Sequence, residues 1–274
     1  MNNPYQIYLV SDSTGETLDR IFIALKAQFK NFNYETSHFS FTRTENQVSK
    51  ILETCKKHKN SIILYTVVDD NLEKFLTIKA GKLKIPCFGV LGNLILSFSK
   101  LLNQEALHIP SRQHALNDEY YQRIEAIQFT MNHDDGNSTK DIQKSDIILL
   151  GVSRTSKTPT SIYLANKGYK VSNIPLVNEN SIPDLIKKNT NKNCVVGLIV
   201  EPERLIEIRK TRMNTLKEIR GKNYTNLLKI KEEVKKSKKT FQKYKWPTIN
   251  VSRKSVEETA ASVIKMYEIK KKNV

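Results

Sequence analysis

Cysteine is scarce in this chain: three in 274 residues, at Cys55, Cys87 and Cys194, with no CxxC pair. So small and scattered a set argues against a disulfide framework or a zinc cluster, and leaves buried or idle thiols in a reducing compartment as the reading. No run of 18 apolar residues occurs, so no segment reads as a membrane-spanning helix. The start, Met1-Asn2-Asn3-Pro4-Tyr5, has no basic flank, no apolar stretch and no small-residue cleavage site. A signal peptide is therefore not expected, and the expected location is cytoplasmic. Also missing are the GxGxxG loop, the HRD segment and the DFG triplet of the common protein kinases, so any kinase chemistry must use other machinery.

What the chain does contain is an apolar fraction of 39% with 11 Tyr and 10 Phe, enough for a folded protein with one large or two smaller cores. Its net charge of +17 is unevenly placed, because residues 204–245 hold 15 Lys/Arg against 4 Asp/Glu. Such a stretch is either a solvated helical face or an attractant for an acidic partner, a polyphosphate or a nucleic acid. No nucleic-acid-binding module and no interleaved aromatics accompany it, so nucleic acid is not an expected partner.

Short apolar runs alternate with helical patterns, which predicts an α/β fold. Ile7-Tyr8-Leu9-Val10 predicts a first strand, followed by a helix with Leu18, Ile21, Phe22, Leu25 and Phe29 on its apolar face. Further strands are expected at 38–41, 62–68 and 87–91, each with a helix after it, and a further helix at about 118–131. The turn-rich segment at 133–138 suggests a boundary between an N-terminal α/β domain, 1–136, and a second α/β domain, 137–274. In that second half, strands are expected at 146–150, 171–177, 195–200 and 246–251, with a basic helical insert at 210–245. Ser255-Val256-Glu257-Glu258 is a capping box that opens the last helix, with Ala260, Val263, Ile264 and Tyr267 facing inward. No internal repeat is evident.

The strand at 146–150 runs into Gly151-Val152-Ser153-Arg154-Thr155-Ser156-Lys157-Thr158, a Walker A pattern with Ser156 in place of the second glycine. Inward-facing N–H groups and a helix N-terminus make such a turn an anion site. Lys157 can reach the terminal phosphates and Arg154 adds a second cation with a bidentate fork, while the Thr158 hydroxyl can ligate Mg²⁺. The competing reading is an ordinary strand-to-helix turn rich in Ser and Thr. Glu201, at the end of a strand, is either a Walker B acid or a first-turn charge for its helix. Ser11-Asp12-Ser13-Thr14-Gly15-Glu16-Thr17 either holds a second phosphate or caps a helix through Ser13 or Thr14. His133-Asp134-Asp135-Gly136 offers a carboxylate base and an Mg²⁺ ligand, or is a solvated turn.

Three strings together carry a resemblance. Tyr8 to Thr17 (YLVSDSTGET), His133-Asp134-Asp135-Gly136, and Gly151 to Pro159 (GVSRTSKTP) with the Ser161-Ile162-Tyr163-Leu164-Ala165 that follows look like the bacterial pyruvate, phosphate dikinase regulatory protein family, which includes the phosphoenolpyruvate synthase regulators. The likeness continues through Glu201-Pro202-Glu203-Arg204-Leu205 and Ser255-Val256-Glu257-Glu258. It implies a bifunctional enzyme, an ADP-dependent serine/threonine kinase and a phosphate-dependent pyrophosphorylase. Its substrate would be a threonine beside the phosphorylated catalytic histidine of pyruvate, phosphate dikinase or of phosphoenolpyruvate synthase. ADP would lie on residues 151–158, with Lys157 and Asp135 as catalytic groups and Asp135 as base toward the threonine. Inorganic phosphate would be the second substrate, bound by Ser11 to Thr17 or by Arg43 with Asn46. No resident metal ligand is assigned. A homodimer is also implied, though no feature of the sequence demands one. Alternatives from other classes are a nucleotide-sensing regulator without catalysis, a P-loop small-molecule kinase with 210–245 as its lid, and a nucleic-acid-binding protein driven by the basic stretch.

Overall fold

A computed structural model describes residues 4–112, 118–137, 140–188, 193–216 and 222–272. Parts of two expectations, Ser138 in the turn at 133–138 and 217–221 in the basic insert, lie outside the described residues.

The chain forms two compact units, Met1–Ala115 and Leu116–Val274. Each is built on a four-stranded sheet, and every strand pair in both is parallel. In the first unit, β1 (Tyr5–Ser11), β2 (Tyr34–Phe39), β3 (Ser61–Thr66) and β4 (Cys87–Gly89) alternate with α1 (Glu16–Lys26), α2 (Glu45–Cys55), α3 (Asp70–Lys82) and α4 (Gly92–Leu102). In the second, α5 (Asp118–Asn132) precedes β5 (Ile147–Gly151), α6 (Lys157–Ala165), β6 (Val171–Pro175), α7 (Asp184–Lys188) and β7 (Cys194–Ile199). Helices α8 (Pro202–Leu216) and α9 (Leu227–Lys243), strand β8 (Thr248–Asn250) and helix α10 (Val256–Lys272) complete it.

The strand orders are β2-β1-β3-β4 and β6-β5-β7-β8, the same topology twice. No repeat shows in the sequence because this topology depends on the alternation of buried strands and covering helices, which many residue choices satisfy. In both sheets the first strand lies between the second and the third, which makes its C-terminal end a topological switch point, the crevice where open α/β sheets bind ligands.

Strand β5 shows why the sheets are covered on both faces. Ile147 and Leu149 join one buried cluster with Val196, Leu198 and Val263, while Ile148 and Leu150 join another with Ile174, Val195 and Phe241. A continuous apolar run, and not an alternating one, is what a doubly covered parallel strand requires.

Several expectations need correction. Strand β2 starts at Tyr34 and ends at Phe39, because Phe41 takes a left-handed backbone (φ 53°) that breaks extended pairing. Helix α1 stops at Lys26, and Leu25 and Phe29 are exposed, not packed. The boundary between units falls before α5, where the sequence pointed to the turn at 133–138. Thr130 on that helix accepts a 3.0 Å hydrogen bond from the Val171 N–H, and Ala126 is fully buried, so α5 is part of the second unit's core. The basic insert is also no appendage. Ile230, Val234, Ser237 and Phe241 form a buried stripe on α9, and Phe241 occupies the space a side chain at Gly197 would need. The capping box at Ser255 forms as expected, with Glu258 N–H donating to Ser255 Oγ (3.1 Å) and Ser255 N–H to Glu258 Oε2 (2.8 Å).

Candidate active site

The loop between β5 and α6 leaves the sheet at the switch point of the second unit. Gly151 is needed there for space. A Cβ would lie 2.9 Å from the Leu198 carbonyl oxygen and 2.5 Å from Thr155 Oγ1. The next residues anchor the turn from inside. Val152 is buried in the core, and its carbonyl accepts from Thr155 Oγ1 at 3.0 Å and from Lys157 Nζ at 3.2 Å. Arg154 (φ 73°) and Ser156 (φ 60°) both adopt left-handed backbone. Position 156 is the one where a glycine would bear that conformation without strain. Ser156 is the N-cap of α6 yet makes no side-chain cap bond, so the N–H groups of the first turn have no side-chain cap. Pro159 sits in that first turn, where its missing N–H costs nothing.

Ser153, Arg154, Ser156, Lys157 and Thr158 line a cleft of about 710 Å³, and Asp135 lines it with them. Gly151, Val152 and Thr155 do not line it; they hold the loop in shape. Lys157 is 4% exposed. Burial pulls its ammonium down to about 8; the carboxylates of Asp135 and Asp134 oppose that, while Arg154 and Arg209 add to it. An anion in the cleft would restore the charged form. Were ADP, the expected ligand, to bind there, the contribution of Lys157 to its affinity would be nearly constant below pH 8. Above it the ammonium of the free protein is lost as pH rises, and affinity falls by about tenfold per pH unit. Calorimetric titration between pH 6.5 and 9.5 reads this directly, and a flat profile would show that Lys157 does not meet the phosphates.

Asp135 is held by the edge strand β6. Its backbone is left-handed (φ 48°), its N–H donates to Asn173 Oδ1 at 2.9 Å, and Asn173 Nδ2 donates to Asp134 and, at 3.4 Å, to Ser161 Oγ. The Asn173 N–H donates to the His133 carbonyl at 3.2 Å, so the turn lies along β6. His133 is buried, with Nδ1 2.8 Å from the Phe129 carbonyl and Nε2 2.7 Å from that of Lys140. The histidine fixes the turn; it does not face the cleft. Asn173→Ala removes the brace and is expected to cost about 1–3 kcal/mol, visible as a lower urea midpoint with unchanged slope. An unchanged midpoint would mean that the turn holds itself.

The wall opposite the loop was not foreseen. Arg204, Glu207, Ile208, Thr211, Arg212 and Thr215 project from one face of α8 into the cleft, and Pro175 closes the end of β6. Behind the loop, Arg209 is 1% exposed and acts as a clamp. It donates to the Ser153 carbonyl (3.3 Å), the Tyr224 carbonyl (3.1 Å) and Glu233 (2.6 Å), and stacks on the Tyr224 ring at 4.7 Å. Arg154 Nε donates to the Tyr224 hydroxyl at 3.3 Å. Burial pushes the Tyr224 phenol up, but bonds to Ser153 and Arg154 and the charges of Arg154 and Arg209 bring it below its ordinary value. Glu201 is exposed and outside the cleft lining, its N–H accepted by Ser252 Oγ at 2.8 Å, which leaves the Walker B reading unsupported by position.

The Ser11–Thr17 string lies at the switch point of the first unit. Ser11, Asp12, Ser13, Gly15 and Thr17 line a smaller pocket of about 110 Å³ with Thr66, Ser111 and Arg112. Neither Ser13 nor Thr14 caps α1: the cap is Gly15 at φ 89°, without a side-chain bond. Asp12 is held with its carboxyl above the usual range by burial, against a 2.7 Å bond from the Val68 N–H and the charge of Arg43. Arg43 is already engaged, donating to the Asp12 carbonyl at 2.9 Å and to Ser111 Oγ at 2.8 Å, while Asn46 is exposed on α2. The described residues contain no cluster of metal-ligating side chains and no helix long and apolar enough to cross a membrane.

Comparison with known proteins bears on this geometry. The sequence profile described as kinase/pyrophosphorylase matches residues 7–264. A Pelagibacter ubique protein is 69% identical over 273 residues, covering all of both chains. An Erythrobacter litoralis protein is 41% identical, covering 95% of this chain and 93% of its own, and one from a Wolbachia of Brugia malayi is also 41% identical, covering 95% and 96%. All three bear the provisional name pyruvate, phosphate dikinase regulatory protein.

Proposed function

The chain belongs to the kinase/pyrophosphorylase family, and from that premise we propose that it regulates pyruvate, phosphate dikinase by phosphorylating a threonine with ADP and removing that phosphate with inorganic phosphate. The observation that carries the reading is the convergence of Lys157, the N-terminal turn of α6 and the Asp135 carboxylate on one cleft. An anion cradle beside a base is what phosphoryl transfer to a hydroxyl requires.

In the kinase direction the ADP diphosphate lies against residues 153–158. Lys157 and Arg154 offset its charge, and the uncapped N–H groups of the first turn of α6 hold the β-phosphoryl oxygens. The threonine hydroxyl attacks the β-phosphorus. Its O–P bond forms as the bridging bond to the α-phosphate breaks, AMP leaves, and the threonine proton passes to Asp135. In the reverse reaction an oxygen of inorganic phosphate attacks the phosphothreonine phosphorus. Pyrophosphate forms and the threonine O–P bond breaks, and the proton of the attacking hydrogen phosphate passes through Asp135 to the threonine oxygen. The cleft could also admit Mg²⁺, because Thr158 and Asp135 both line it and a bound nucleotide would supply further oxygens. When bound, the ion would neutralise charge on the transferring phosphoryl group.

The test is direct. The protein is incubated with ADP and the dikinase phosphorylated on its catalytic histidine, and threonine phosphorylation and AMP are measured, followed by pyrophosphate release on adding phosphate. Nucleotide binding with neither product would favour a sensor without catalysis. Transfer to phosphoenolpyruvate synthase in place of pyruvate, phosphate dikinase would keep the chemistry and change the target. A small-molecule kinase that closes a lid is disfavoured by α9, whose Phe241 is fully buried in the core and is not free to swing.

A further inference from the structure

The cleft contains more cationic side chains than a diphosphate on the loop uses. Arg154 and Lys157 serve the loop side; Arg204 and Arg212 stand on the α8 wall. Eight residues of helix place the second pair about 12 Å apart along one face, so both border the same opening. Arg204 is ion-paired with Glu207 at 2.8 Å on the same helix. Arg212 is exposed, and no carboxylate among the described residues pairs with it. A free guanidinium on the wall of a basic cleft presents a planar fork that matches phosphate oxygens. Thr211 and Thr215 add hydroxyl donors on the same face.

We propose that Arg212, assisted by Arg204, forms a second anion subsite on α8 that binds inorganic phosphate separately from the loop. This deepens the proposed function and rests on it for the role of the phosphate, though not for its binding. The loop holds the phosphoryl group that is transferred, and α8 holds the phosphate that attacks it. The two reaction directions then share one cleft and differ in which wall is filled.

The experiment uses the full-length protein and its Arg212→Gln, Arg212→Lys and Lys157→Ala variants. Binding of inorganic phosphate and of ADP is measured separately, and phosphorolysis of the phosphothreonine dikinase is followed against phosphate concentration. Arg212→Gln is expected to raise both the Kd and the KM for phosphate at least about tenfold while changing the Kd for ADP less than about twofold. Arg212→Lys should recover part of the loss, as a point charge without the fork. Lys157→Ala should show the opposite pattern, losing ADP before phosphate. A phosphothreonine peptide tested in parallel separates the two sources of phosphate chemistry, and its affinity should not respond to Arg212→Gln. An unchanged KM for phosphate, an equal loss of ADP, or a loss confined to the peptide would each overturn the subsite. Phosphate binding that depends on Arg212 in a protein without phosphorolysis would leave the subsite standing and remove the proposed reaction instead.

Discussion

Lys157→Ala is expected to slow threonine phosphorylation by about 10²–10³-fold, the usual loss when a preorganised cationic or hydrogen-bonding group is removed from a charged transition state. The side chain is buried, faces the cleft and is within reach of the loop carbonyl of Val152 at 3.2 Å, a contact it can exchange for phosphate oxygens. Because the side chain is buried, its charge acts at a lower effective dielectric than in bulk water. Because the residue is also packed, the substitution needs a control for folding. Lys157→Met keeps most of the volume and the stem while removing the charge, and should be as inactive as alanine with a near-parental urea midpoint. Rapid-quench measurement of phosphothreonine at saturating ADP isolates the transfer step. Parental rates in the methionine variant would detach the loop from the chemistry.

Asp135→Asn is expected to reduce both directions of the reaction by at least about 10²-fold, the low end for losing a general base. The backbone makes this a clean substitution. Asp135 stands at φ 48°, a conformation asparagine tolerates well, and the bond that holds it, to Asn173 Oδ1 at 2.9 Å, comes from its main-chain N–H. The turn should therefore survive and only proton transfer be lost. ADP affinity should change little, so kcat falls while the nucleotide Kd does not. An equal rate in the asparagine variant would assign the base elsewhere and leave Asp135 a spectator of the cleft.

How far the sequence foretold these parts depended on whether a feature was local. The loop from Gly151 to Thr158, the helix after it and the Ser255 capping box could be read because their signals lie within a few consecutive residues. Lys157 is legible from the Walker A spacing, and Asp135 only as one of two readings of its tetrapeptide; that both line one cleft is a property of the fold. Asn173 carries no signal in the sequence, because a single polar residue in an edge strand looks like a solvent-facing position, and only the fold lays the 133–136 turn against it. Arg209 and Arg212 were submerged in a stretch whose density of charge looked like a solvated surface. Which of its arginines is buried is decided by α9 and Tyr224, which join them only after folding. The early boundary between units was invisible for a similar reason: α5 reads as any amphipathic helix until β6 accepts it. Capping by Ser13 or Thr14 is one of the two readings of the Ser11–Thr17 string, and the left-handed Gly15 takes the cap position instead.

The clamp made by Arg209 has a consequence for anyone wishing to transplant the motif. One guanidinium fastens the Ser153 carbonyl to the Tyr224 carbonyl and to Glu233, groups that arrive from 71 and 80 positions downstream. A cassette spanning β5 to α6, moved into a foreign scaffold, would carry every letter of the signature and none of the scaffolding that bends it. The recipient would inherit a floppy turn with a lysine in it. The portable unit is therefore everything from β5 through α9, and the short string is only its label.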